Sequence, residues 1–323
     1  MFKGLRKKKV PSRKSSPQPK IPTAPSSGSS TPTSGLLARY NDSTLSCVRD
    51  VGVSSEQNPA FRQTMEDAHV VIDGFFGHSA WTYLGLHDGH GGSETAEYAA
   101  RRVHKYIAGS LKTGSSVQEA LQGAYLRTDE EALDLGHDVV GCTALSALLY
   151  PSNTSFTSKS KHQAPEPDSG TDTDDDCPPP MILTVANAGD SHAFLIAGSR
   201  VVQLTESHRP DNPTEYERVC NAGGFILSGR VNGSLAVTRA LGDGLLKPAV
   251  SADPFIKSTI LTEHDEALVL VCDGVTDVLS DEHIRDIVHK FKSKGARSVA
   301  DAIVRISLER GTTDNVSVIA ALF

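Results

Sequence analysis

The chain has 323 residues with 38% hydrophobic and 22% charged content, enough to bury a substantial core and typical of a globular protein rather than a disordered or fibrous one. Its net charge of −7 is unevenly spread: Lys3, Arg6, Lys7, Lys8, Lys9, Arg13, Lys14 and Lys20 meet no acidic residue in positions 1 to 35, which leaves about −15 on the remainder. A body that acidic argues against a nucleic-acid-binding protein.

Residues 1–40 open with "MFKGLRKKKVPSRKSSPQPK" and stay rich in Lys, Ser, Pro and Thr. Such a segment cannot bury enough apolar surface to offset its chain entropy, and it reads as a disordered basic tail. Residues 41–323 read as one folded domain. Strands are predicted at 69–73 (HVVID) and 81–86 (WTYLGL), then helices at 93–112 and 116–134, then strands at 143–150 (TALSALLY), 181–187 (MILTVAN) and 191–197 (SHAFLIA). A helix at 213–222, a strand at 266–272 (EALVLVC), helices at 281–292 and 296–309, and a strand at 316–322 (VSVIAAL) complete the order. The polar stretch at about 152–180 separates two apolar runs and is an inserted surface loop. Strands follow strands and helices come in adjacent pairs. That order fits an α+β layered domain with helix pairs covering a largely antiparallel core, not an alternating parallel sheet.

The cysteines, Cys47, Cys142, Cys177, Cys220 and Cys272, are odd in number and form no CxxC pair, so neither a zinc knuckle nor a disulfide framework is indicated. The chain has no apolar run long enough for a transmembrane segment and no signal-peptide core, and Phe2 stands where myristoylation needs a glycine. An intracellular location is expected, in cytoplasm, nucleus or both.

Carboxylates recur where strands end. Asp88 follows "WTYLGLH", Asp273 follows "EALVLVC", Asp314 precedes the last strand, Glu66 and Asp67 precede "AHVVID", and Asp190 lies between two strands. One Asp-Gly after an apolar run is more often a hairpin turn, but no single turn explains acids at five strand ends. Acids gathered at the rim of a core repel one another unless cations neutralise them, and an all-oxygen donor set suits Mg²⁺ or Mn²⁺ rather than Zn²⁺.

The ordered set "RQTMEDAH", "LHDGHGG", "GCTA", "NAGDS", "LTESHRP", "RVNGSLAVTRALGD", "VCDGVTDVL" and "GTTDNVSV" resembles the type 2C family of metal-dependent protein serine/threonine phosphatases, the PPM family, over roughly residues 45–323. The resemblance implies a four-layer αββα sandwich, with two packed, mainly antiparallel sheets flanked by helix pairs. It implies two Mn²⁺ or Mg²⁺ ions, with Asp88 bridging both, Gly89 offering its carbonyl oxygen, Glu66 completing one site, and Asp273 and Asp314 holding the other. Arg62 would grip the substrate phosphate, and His90 would protonate the leaving alkoxide. A weaker third ion would use Asp190 and Asp277 and share Asp273. Here the chain departs from the family pattern, with His192 where Arg is usual and Thr276 where Trp is frequent.

The implied activity is hydrolysis of phosphoserine and phosphothreonine in proteins by water activated between the two ions; a monomer is expected. Residues 211–233 match the family's flap beside the cleft, which suits a mobile element that reads the substrate protein. The rival readings are another two-metal phosphoester hydrolase and a catalytically silent scaffold of the same fold. The second is disfavoured by the presence of every proposed ligand.

Overall fold

The computed structural model describes residues 48–154 and 179–323 in full and residues 35–38 as backbone. The basic tail, apart from 35–38, and positions 155–178 of the inserted loop lie outside the described residues.

Two sheets form the centre. The first has six strands in the order β1 (Gly35–Ala38), β3 (Ala68–Asp73), β4 (Thr82–His87), β7 (Ala144–Pro151), β8 (Met181–Ala188) and β14 (Phe255–Ile260). Only the β1–β3 pair in this sheet is parallel. The second sheet is antiparallel throughout, in the order β10 (Arg200–Gln203), β9 (His192–Ala197), β15 (Asp265–Val271), β16 (Val316–Leu322) and β2 (Asp50–Glu56). Beside them lie a small sheet of β5 (Gly89–His90), β6 (Gly141–Cys142) and β13 (Leu241–Gly242), and a hairpin of β11 (Ile226–Leu227) and β12 (Arg230–Val231).

Side-chain alternation sorts the strands into layers. On β15, Leu268 and Leu270 enter the core between the sheets, while Ala267, Val269 and Val271 face outward onto helices. On β4, Leu84 and Leu86 enter the same central core and Tyr83 faces the other way. Helices α1 (Glu94–Lys112) and α2 (Val117–Asp134) cover the outer face of the first sheet, with Ala96, Ala99, Val103 and Ile107 of α1 recurring at helical spacing in that core. Helices α5 (Asp281–Phe291) and α6 (Ala296–Glu309) cover the second sheet through Ile284, Val288, Val299 and Ile303. Helix α3 (Pro213–Asn221) and the single turn α4 (Asp273–Thr276) lie outside these pairs. The result is the expected four-layer sandwich.

Helix starts follow capping chemistry. Ser116 and Glu119 form a capping box at α2, and Ser280 with His283 forms another at α5. Each cap of this kind contributes about 0.5–2 kcal/mol.

Strand register fixes where the acids go. Ala68 pairs with His87, Leu86 with Leu145, Ala144 with Ala188, Val271 with both His192 and Val318, and Val316 with Glu56. Asp67, Asp88, Asp190, Asp273 and Asp314 are each a near neighbour of one of these residues, so all five belong to one end of the sandwich.

Candidate active site

At that end lies a cleft of about 260 Å³ lined by Arg62, Asp88, Gly89, His90, Asp190, Asp273 and Asp314, with Thr143, Arg230 and Leu235–Val237 completing its wall. Seven of the residues singled out in the sequence thus meet in one cavity. The other two stand nearby. Glu66 is at the rim, where its carboxylate accepts from Thr64 Oγ1 at 2.9 Å, and Asp277 opens onto an adjoining groove.

Asp88 is held by its strand connection. Its backbone N–H donates to Thr143 Oγ1 at 3.2 Å, and its carbonyl accepts from the Thr143 N–H at 2.8 Å. Thr143 Oγ1 is in turn 2.8 Å from Ser191 Oγ. Gly89 must lack a side chain, because a Cβ there would collide with the Glu66 carbonyl oxygen. This close approach seats the Glu66–Asp67 segment directly against the Asp88 turn.

Asn315 ties that segment to the second sheet. Its Oδ1 accepts from the Glu66 N–H at 2.9 Å, and its Nδ2 donates to the carbonyls of Gln57 at 2.7 Å and Thr64 at 3.1 Å. Arg62, on the same loop, forms an ion pair with Asp314 and donates from Nε to the Thr313 carbonyl at 3.4 Å.

Ligand atoms of Asp67, Asp88 and Cys272 all lie within 4.8 Å of one another. Asp67 had no assigned role in the sequence reading, which chose its neighbour Glu66. Parity along β3 carries the signal: Val71 enters the core between the sheets, so residue 67, four positions earlier, shares its face. Both carboxylate oxygens of Asp67 are buried without a hydrogen-bond partner among the described residues. Cys272 is fully buried at a strand end, as expected of a core cysteine. Burial, followed by the charges of Asp67, Asp88 and Asp273, pushes its thiol well above the usual range, which makes it a poor thiolate.

The same crowding acts on the acids. Burial pushes the Asp67 carboxyl up to about 6. Asp88 is raised well above the ordinary value by burial and by the charges of Asp67, Asp273, Asp190 and Asp314. Asp273 reaches about 7 through burial and the neighbouring Asp190, Asp314 and Asp277. A buried carboxylate with like charges around it is costly, and a cation removes the cost. The orphaned oxygens of Asp67 and the all-oxygen donor set fit a hard divalent ion.

The sequence pattern defining the family described as Protein phosphatase 2C matches residues 51–316. The chain belongs to the protein phosphatase 2C family. It is therefore a metal-dependent serine/threonine phosphatase. Over 275 residues it is 34% identical to Protein phosphatase 2C homolog 1 of Saccharomyces cerevisiae, an alignment that covers 83% of this chain and 91% of that protein. It is 31% identical to Protein phosphatase 2C homolog 1 of Schizosaccharomyces pombe, covering 83% and 71%. Its fold is similar to that of a serine-threonine phosphatase 2C from Toxoplasma gondii, with a TM-score of 0.69, 18% identity, and coverage of 87% of this chain and 96% of that one.

Two further residues of this phosphatase, Asp243 and Arg209, carried no role in the sequence reading. His90 Nε2 lies 2.8 and 3.0 Å from the two carboxylate oxygens of Asp243, which is itself buried. His90 and Asp243 are 153 positions apart, and Gly141 lets them meet, since a Cβ there would strike both side chains. Arg209, from the "SHRP" motif, reaches into the acidic end of the cleft. No helix among the described residues is long and apolar enough to cross a membrane.

Proposed function

We propose that this phosphatase hydrolyses phosphoserine and phosphothreonine monoesters of proteins with two divalent ions, Mn²⁺ or Mg²⁺. Support comes chiefly from the convergence of Asp88, Asp273 and Asp314 on one cleft, with the buried Asp67 carboxylate close to Asp88. Asp88, the Gly89 carbonyl and Glu66 would hold one ion, and Asp88, Asp273 and Asp314 the other, with Asp67 facing the pair from the buried side. Such ions, when bound, would supply charge neutralisation for the phosphate dianion and a more acidic water as the nucleophile.

The chain's own residues do the rest. Arg62 lies at the cleft wall, half-exposed, and its planar fork can exchange part of its contact with Asp314 for two phosphate oxygens. His90 sits at the cleft with its Nε2 2.8 and 3.0 Å from the Asp243 carboxylate oxygens, a contact that fixes the ring. With Nε2 occupied by Asp243, a proton on Nδ1 would be the one passed to the alkoxide of serine or threonine as it leaves.

The test is release of inorganic phosphate from a phosphothreonine peptide. Release is expected with Mn²⁺ and none in chelator, with no cleavage of a single-stranded DNA substrate run alongside. A folded protein that binds Mn²⁺ but releases no phosphate would be a silent scaffold. Cleavage of the nucleic acid would point to another class of two-metal hydrolase.

We further propose that the domain begins after the basic tail and that neither the tail nor the inserted loop takes part in turnover. Deleting residues 1–34, or replacing 155–178 by a short Gly-Ser link, is expected to leave kcat on p-nitrophenyl phosphate within about twofold, since both lie away from every matched motif. A collapse of kcat in a folded variant would assign that segment to the site.

A further inference from the structure

Arg209 has a geometry that the phosphatase reading does not use. It lies just after Leu204–His208, and its guanidinium reaches three carboxylates. Nε is 2.6 Å from Asp190 Oδ2, and Nη2 is 3.2 Å from Asp273 Oδ2 and 3.4 Å from Asp277 Oδ1. Asp190 is almost fully buried, Asp273 about three-quarters so, and Asp277 opens to solvent. The three acids are those to which the family resemblance gives a weaker third ion. His192 does not compete for them, because its Nδ1 is turned to Thr205 Oγ1 at 2.9 Å and Gln203 Nε2 at 3.0 Å.

We infer that Arg209 is a tethered cation standing in place of that third ion. A guanidinium is always charged, needs no uptake from solution, and presents several donors in one plane, so it can serve Asp190 and Asp273 together. A divalent ion at the same acids would have to displace it or sit against it, and the repulsion between them would weaken binding. Unit charges about 4 Å apart near a protein surface change a binding constant by some two to three powers of ten, and the exposure of Asp277 reduces that effect. The consequence for this chain is two ions rather than three at ordinary metal concentrations, with Asp273 held in place by Arg209. Arg209 is thus a positioning residue. The inference rests on the dinuclear reading of the cleft.

The test counts bound Mn²⁺ by equilibrium dialysis, with electron paramagnetic resonance of the free ion as a second readout, on the full chain. Arg209→Met is expected to bind one more Mn²⁺ than wild type, at least about tenfold tighter than any further ion the wild type takes. The extra ion should vanish in Arg209→Met/Asp190→Asn. Arg209→Lys, which keeps the charge, should bind as wild type does. Should Arg209→Met melt at assay temperature, Arg209→Gln serves in its place. An unchanged count and affinity without the arginine charge would overturn the inference. So would a gain of the extra ion by Arg209→Lys, or a wild-type ion that is lost in Asp190→Asn alone. A wild type that binds fewer than two ions would instead count against the dinuclear centre, and the difference between wild type and Arg209→Met would still decide the role of Arg209.

Discussion

Asp273→Asn is expected to lower turnover of a phosphothreonine peptide by more than about 10³-fold at saturating Mn²⁺, beyond the cost of one lost oxyanion donor, while raising the melting temperature of the metal-free protein. The two effects have one origin. Asp273 titrates at about 7 instead of 3.8, pushed there by burial and then by Asp190, Asp314 and Asp277. Its folded value lies above its unfolded one, so folding prefers the protonated form. The stability it contributes is fully present below about pH 4 and is lost as pH rises through about 7. Asp67, at about 6, has the same sign. Chelated wild-type protein should therefore melt higher at about pH 6 than at about pH 8, with a slope of up to about 1.4 kcal/mol per pH unit for each proton taken up. Asparagine removes one of those charges, so the variant should show a flatter slope. Mn²⁺ should reverse the order by binding the folded wild type. Near-normal turnover in Asp273→Asn would remove Asp273 from the metal site, and a lower melting temperature in chelator would mean that its pairing with Arg209 outweighs the repulsion.

His90→Ala is expected to cut kcat on a phosphothreonine peptide by about 10² to 10⁴, the range of general acid catalysis, and to cut kcat on p-nitrophenyl phosphate much less. The alkoxide of threonine needs a proton as it leaves, whereas nitrophenolate is stable as an anion. Asp243→Asn should share this dependence on the leaving group at a smaller size, about 10- to 100-fold, because the ring loses the carboxylate that orients it. Measuring kcat and the Mn²⁺ requirement for both substrates separates proton donation from metal binding. Equal losses on the two substrates would place His90 in the turn or the metal shell rather than at the leaving group.

The central layers were legible because their strands are apolar on both faces. "TALSALLY" and "EALVLVC" admit few other readings, and their helical partners repeat at clear spacing. Edge strands gave no such signal. β2, "DVGVSSE", and β14, "FIKSTI", bury only part of one face, and their polar residues hide the alternation. At the cleft, the motifs supplied the residues but not their directions. Glu66 and Asp67 are adjacent acids, and only the parity of β3 shows that Asp67 is the one that faces the interior. The His90–Asp243 pair joins residues from distant parts of the chain, and the ion pairs of Arg209 likewise depend on register between β8, β9 and β15. Contacts of that kind arise only once strands are aligned.

Asp67 and Asp88 stand just outside β3 and β4 of the first sheet, and Asp273 and Asp314 within two residues of β15 and β16 of the second, so the acids straddle the seam between them. The apolar middle of the sandwich pulls the two sheets together, while at this end like charges press them apart. The molecule resembles a book bound along its pages and sprung at one corner. A divalent ion in the cleft would be the clasp that shuts that corner, so the layer spacing set by Leu86, Leu145 and Leu270 is also the spacing at which the clasp must fit. Packing of the inner layer is in this sense a tuning dimension of the enzyme.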